Sequence, residues 1–171
     1  VTLLSIKDIK IGKSLSLADK NIQKFELALK RLCLNLAQQI VVDGEGANKF
    51  ITIKVINAKS LSGAKSIAFS IANSPLIKTA VAGEDPNWGR IVMGIGKSGE
   101  IIDIKKLKIK IGDFTVAENG KISETYDEEK LKEYMKWDSI KIEINLKLGN
   151  DAFKCYTCDF THDYIDINAD Y

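Results

Sequence analysis

Apolar residues at Ile22, Phe25, Leu29, Leu32, Leu36 and Ile40 recur every three or four positions and predict a long amphipathic helix. Ser16 and Asp19, three positions apart, read as its start. The run Asp43-Gly44-Glu45-Gly46 ends it, because two glycines so close together permit a tight, irregular backbone. Ahead of the helix, residues 1–6 read as a buried strand with no capping turn before it, as if cut from a longer chain. From residue 50 the period drops to two: Ile51, Ile53 and Val55 face one way and Thr52 and Lys54 the other, which predicts a half-buried strand over 50–57. Helical spacing returns with Leu61, Ala64, Ile67, Ala68 and Ile71, and Pro75 limits its extension. Residues 82–90 form a turn-rich loop entering another helix near Asn87.

The last third reads mostly as strand. Residues 105–111 and 114–116 flank the turn dipeptide Gly112-Asp113, and residues 127–137 form a short charged helix. Ile140, Ile142, Ile144 and Leu146 then alternate with polar positions. Gly149-Asn150-Asp151 reverses the chain, and residues 152–160 return as a strand, an antiparallel hairpin in expectation. The resulting class is α+β, with helices set against mixed or antiparallel sheets.

Composition narrows the picture without changing it. A chain of 171 residues suits one compact domain or two small lobes, with any boundary near residues 74–90. A 45% hydrophobic and 28% charged composition is that of ordinary globular proteins. The net charge of +2, from 25 basic and 23 acidic residues, speaks against a dedicated nucleic-acid or membrane-surface binder. No apolar run approaches the roughly 18 residues of a membrane-spanning helix. Three cysteines, an odd number, give no disulfide framework and suit a reducing, cytoplasmic setting.

Four stretches could carry chemistry. In Asp43-Gly44-Glu45-Gly46-Ala47-Asn48-Lys49-Phe50, a carboxylate stands between two glycines where a loop can reach a cleft; a helix-stop turn with solvated charges accounts for the same residues. Its acidity and spacing do not suit a phosphate-cradling loop. Gly83-Glu84-Asp85-Pro86-Asn87-Trp88-Gly89-Arg90 reads first as a rigid turn, with Asn87 capping the next helix and Arg90 pairing with Glu84 or Asp85. Cys155 and Cys158 resemble a metal or redox pair, but a structural zinc needs four ligands, and only Cys33 and His162 are left to complete a set. Strand positions three apart also face opposite sides, so these are structural cysteines and no metal site is expected. The tail, residues 161–171, holds the only histidine beside Asp163 and reads mainly as a packed terminal strand. No nucleophile completes a triad with that histidine.

Three of these stretches carry a resemblance that covers the whole chain. The loop at residues 43–50 resembles the DGEGATKF-type loop of ornithine acetyltransferases. The run from Ser74-Pro75-Leu76-Ile77-Lys78-Thr79 through Gly83-Glu84-Asp85-Pro86-Asn87-Trp88-Gly89-Arg90-Ile91 is similar to that family's longest signature. Cys158-Asp159-Phe160-Thr161-His162-Asp163-Tyr164-Ile165-Asp166-Ile167-Asn168-Ala169-Asp170-Tyr171 is similar to its C-terminal ending. The chain is therefore identified as a member of that family, from the C-terminal part of its β chain.

The resemblance implies a self-cleaving precursor whose freed N-terminal threonine is the nucleophile, on an aminopeptidase-like fold. That threonine takes acetyl from N2-acetylornithine, releases ornithine and passes the acetyl group to glutamate. The implied partners are the α chain of the same precursor and a second αβ pair, forming a heterotetramer. No cofactor is implied, and acetyl-CoA stays open as a co-substrate. By resemblance, Glu45 and Asn168 bind substrate. The nucleophile itself lies upstream: Thr2 follows Val1 and has no free α-amine. The family's oxyanion donors and substrate-binding lysine belong to its α chain, and its usual substrate-contacting serine or threonine lies two residues beyond Tyr171. The isolated chain is accordingly expected to be inactive. The rivals are a related self-cleaving aminopeptidase, a non-catalytic assembly or substrate-binding fragment, and a zinc protein.

Overall fold

The computed structural model describes residues 20–169. The strand expected over residues 1–6 and the helix start expected at Ser16 and Asp19 lie outside the described residues. The chain divides into two compact units, Val1–Ala37 and Gln38–Tyr171. The described part of the first is helix, the beginning of α1 (Lys20–Val42), which carries an exposed i,i+4 ion pair between Lys30 and Glu26 at 2.6 Å.

The second unit is built on one six-stranded mixed sheet. Its strands are β1 (Phe50–Ala58), β2 (Lys108–Ile111), β3 (Phe114–Glu118), β4 (Lys121–Ile122), β5 (Ser139–Asn145) and β6 (Asp151–Cys158), in the order β4-β3-β2-β5-β1-β6. The helices are α2 (Leu61–Ala72), α3 (Pro75–Ala82), α4 (Trp88–Lys97), α5 (Glu128–Met135) and α6 (His162–Ala169). The fold is α+β, as its alternations predict.

The period-two pattern sets the layers. Ile51, Ile53 and Val55 of β1 join Ile140, Ile142 and Ile144 of β5 and Ile109 and Ile111 of β2 in one buried cluster. Ala64, Ile67, Ala68 and Ile71 of α2 close over it, with Ile91 and Ile95 of α4 and Leu131 and Met135 of α5. Each fully buried aliphatic side chain contributes about 1.5–3 kcal/mol relative to an exposed one. The other face of the sheet presents Thr52, Lys54, Lys110, Lys141 and Tyr156 around a shallow hollow of about 690 Å³. Gly94 lets α4 approach α2 and α3, since a Cβ there would lie 2.9 Å from Ile77 Cδ1 and 3.3 Å from Ile71 Cγ1.

Local chemistry fixes the helix starts. The side chains of Ser60, Asn87 and Asp127 accept from the backbone N–H three residues on, at 3.1, 3.2 and 3.1 Å, at the starts of α2, α4 and α5. α3 was not legible as a separate helix. Pro75 occupies its first turn, where a missing N–H does no harm, so the residue read as a stop is also a start.

Two expectations are corrected. β5 and β6 do not form a hairpin. β6 pairs antiparallel with β1, β5 pairs parallel with β1, and β1 lies between them. The connecting residues cross the end of β1: Leu146 N donates to Ile56 O, and Leu148 N and Gly149 N donate to Asn57 O. A turn signal gives the reversal but not the neighbour, and β1 is apolar enough to occupy the centre. The tail is also not a strand. Residues 162–169 form α6, which buries none of its residues within this chain. The Phe160 and Tyr164 rings lie tilted against each other with centroids 4.5 Å apart, and Asn168 Nδ2 donates to Tyr164 O at 2.8 Å, both at a spacing of four residues.

Candidate functional site

The loop after α1 packs directly against the start of α6. Gly46 has φ +66, and a Cβ on it would lie 2.5 Å from Tyr164 N and 2.9 Å from Asp163 Cβ. Only glycine fits, on both conformation and space. Thr161 Oγ1 donates to Gly46 O at 2.6 Å. Asp159 Oδ1 accepts from Asn48 N at 2.8 Å and from Lys49 N at 2.9 Å. These contacts bring the two sequence-predicted site residues together: Asn168 Nδ2 donates to Glu45 Oε2 at 2.8 Å, across 123 positions of sequence. The pair is exposed, so an incoming polar group can reach it.

The two segments that carry the pair are acidic, with nearby cations engaged elsewhere: Lys49 is buried on carbonyls at the end of α5 and Lys78 lies over the Phe160 ring. Residues 43–48 and 161–169 contain Asp43, Glu45, Asp163 and Asp166 and no lysine or arginine. Such a neighbourhood attracts a cation. The carboxylate can accept from an ammonium, and the amide of Asn168 has both donor and acceptor atoms to orient it. Beside the pair, Asn48, Thr79, Gly83, Phe160, His162 and Asp163 border a cleft of about 480 Å³. A hollow of about 770 Å³ beside α5 and the one on the open sheet face are larger, and of the three only the 480 Å³ cleft is lined by residues of the loop after α1 and of α6, although Glu45 and Asn168 themselves line none of them.

The other stretches singled out in the sequence divide differently. Asn87 caps α4 as expected. Arg90 pairs with neither Glu84 nor Asp85. Its guanidinium donates to Leu76 O at 2.6 Å and Thr79 Oγ1 at 3.3 Å, tying α4 to α3. Both carboxylates are engaged elsewhere: Asp85 Oδ2 accepts from Asn87 Nδ2 at 3.1 Å, and Glu84 Oε1 lies 3.4 Å from Lys49 Nζ. Cys155 stands opposite Ile53 and Cys158 opposite Phe50, so the two face opposite sides of the sheet. Burial pushes the Cys155 thiol up to about 11. His162 is the first residue of α6 and borders the 480 Å³ cleft.

Sequence reasoning missed three residues that build the site. Lys49 is 9% exposed, and its ammonium donates to Met135 O at 2.9 Å and Trp137 O at 3.3 Å. These carbonyls at the end of α5 favour a cation. Asp159 and Thr161 are the others. The available signal was a lone acidic residue directly after a strand and before Phe160, a poor place for a solvated charge.

With this geometry in place, likeness to known proteins is decisive. The ArgJ family pattern matches residues 4–171. The chain belongs to the ArgJ family. It is 49% identical over 154 residues to the arginine biosynthesis bifunctional protein ArgJ of Brucella melitensis biotype 1, covering 90% of this chain and 37% of that protein. It is 53% identical over 148 residues to the protein of the same name from Ruegeria pomeroyi, covering 86% of this chain and 36% of that protein. The crystal structure of arginine biosynthesis bifunctional protein ArgJ from Bacillus halodurans shares the fold, with a TM-score of 0.87 and 37% identity. That match covers 94% of this chain and 75% of the solved one. The chain thus spans a little over a third of the length of the curated relatives it matches. Among the described residues, no helix is long and apolar enough to cross a membrane.

Proposed function

We propose that this chain is the substrate-binding part of an acetyltransferase of arginine biosynthesis that moves acetyl from N2-acetylornithine to glutamate. The observation that carries the reading is the Glu45–Asn168 contact. Two residues matched to substrate binding by family resemblance meet in an exposed, acidic corner. N2-acetylornithine presents one cationic side-chain amine. Glu45 accepts from it, and Asn168 orients the carboxylate and offers its amide oxygen as a second acceptor.

The chemistry at the acetyl group belongs to a threonine upstream of this chain. An N-terminal threonine works because its own α-amine serves as base for its hydroxyl. The hydroxyl oxygen attacks the acetyl carbonyl, the ornithine amine leaves with a proton, and the acetyl-threonine ester holds the group until the glutamate amine displaces the hydroxyl. Holding ornithine by its far amine places the acetyl carbonyl for attack and lets the product leave once the amide bond is broken. The α chain and a second αβ pair complete the assembly in this reading. The reaction needs no metal or cofactor, acetyl-CoA being at most a second acetyl donor, and the cytoplasm is its setting.

The test is Glu45→Gln in the complete two-chain enzyme. Charge-assisted hydrogen bonds contribute roughly 1.5–3 kcal/mol, so the KM for N2-acetylornithine should rise about 10- to 100-fold. Self-cleavage, read on a gel, should persist, because no ornithine amine takes part in it. An unchanged KM and kcat, or loss of cleavage, would overturn the substrate role. Acetyl released to water in preference to glutamate would favour the aminopeptidase-like rival.

A further inference from the structure

Glu45 sits on a loop that is tied down chiefly from one buried group. Asp159 is 3% exposed. Its Oδ1 takes the backbone hydrogens of both Asn48 and Lys49, 111 and 110 positions away. Its own N–H donates to Lys49 O at 3.2 Å. Two residues on, Thr161 holds Gly46 O. All these ties fall within four residues after Glu45, and all come from the stretch that leads into α6, the helix bearing Asn168. Asp159 therefore joins the two segments that carry the substrate pair.

A buried carboxylate is a costly way to secure a turn. A neutral oxygen could accept the same two hydrogens without desolvating a charge. What the charge adds is a stiffer bond, since charge-assisted hydrogen bonds are shorter and stronger than neutral ones. Stiffness matters where two side chains on distant segments must keep a fixed spacing.

We propose that Asp159 is a positioning residue that sets the spacing of Glu45 and Asn168, and through it the affinity for the cationic end of the substrate. This rests on the substrate role of that pair. At 3% exposure its carboxylate is shielded from an incoming substrate, so in this proposal its effect passes through Glu45.

The experiment is a double-mutant cycle in the complete two-chain enzyme, with N2-acetylornithine as the varied substrate. Asp159→Ala should raise KM about tenfold, the low end of the range for weakening the charge-assisted contact of Glu45, while kcat changes by less than about twofold. Asp159→Asn keeps the Oδ1 acceptor but not the charge, so it should recover only part of the loss, and full recovery would show that the charge adds nothing. In a Glu45→Gln background, Asp159→Ala should add less than about twofold, because coupled residues are not additive. Should Asp159→Ala fail to fold, Thr161→Val cuts the tie to Gly46 and takes its place, with the same lack of additivity expected. A full effect on top of Glu45→Gln, or a fall in kcat with KM unchanged, would overturn the positioning role and leave Glu45 intact. No effect from Glu45→Gln alone would overturn the substrate role, and the positioning role with it.

Discussion

Glu45 and Asn168 lie at opposite ends of the second unit's sequence, and Asn168 is not chemically conspicuous in its local run. What makes them a candidate site is the 2.8 Å contact between them and the acidic residues in the two segments that carry them. At the same scale, Cys155 and Cys158 show how a conspicuous pattern can carry no site. Cys155 lies in the core beside Ile53, and its thiol is pushed up to about 11. At pH 8 only about one Cys155 thiol in a thousand would be thiolate, the reactive form. Native protein treated with iodoacetamide at that pH should therefore carry no label on Cys155 by mass spectrometry, and unfolded protein should. Labelling at equal rates in both states would contradict the burial that explains the shift.

At the scale of elements, legibility followed periodicity. β1, β5 and α2 could be read because their apolar residues all face one core, so the pattern and the environment have one cause. The partner of β6 could not be read. Gly149 and its neighbours specify a turn, whereas β1's insertion beside β5 depends on a parallel pairing across some ninety positions that no local run records. The tail misled for a related reason. Tyr164, Ile165 and Ile167 look like strand or core, but the helix is set by four-residue contacts and by the fit against Gly46. The carboxylate between two glycines marked Glu45 only as one of two readings, the family resemblance gave it and Asn168 a role, and the one local signal for Asp159 was a lone acid between a strand and Phe160. That fit gives the element-scale prediction. Gly46→Ala puts a methyl into Tyr164 N at a φ that alanine tolerates poorly, with a strain of about 1–3 kcal/mol. It should loosen α6, seen as faster amide exchange across residues 162–169, and weaken N2-acetylornithine binding while the sheet keeps its protection. Unchanged exchange in α6 would show that the loop does not hold it.

At the scale of the whole molecule, the chain covers a little over a third of its curated relatives, and in the proposed mechanism the nucleophile lies in the remainder. The 171-residue chain alone should transfer no acetyl from N2-acetylornithine to glutamate above a heat-treated control, because losing a nucleophile removes many orders of magnitude of rate. Transfer by the chain alone would place the nucleophile within it. The central claim, that Glu45 recognises the substrate's positive amine, has a more direct test. N-acetylnorvaline has the carbon chain of N2-acetylornithine without the amine. Calorimetric titration of the complete enzyme with both ligands measures the preference for the charge, expected at about 10- to 100-fold. Glu45→Gln should abolish that preference by weakening only the charged ligand. A variant that still prefers N2-acetylornithine as strongly as the unaltered enzyme would contradict the account.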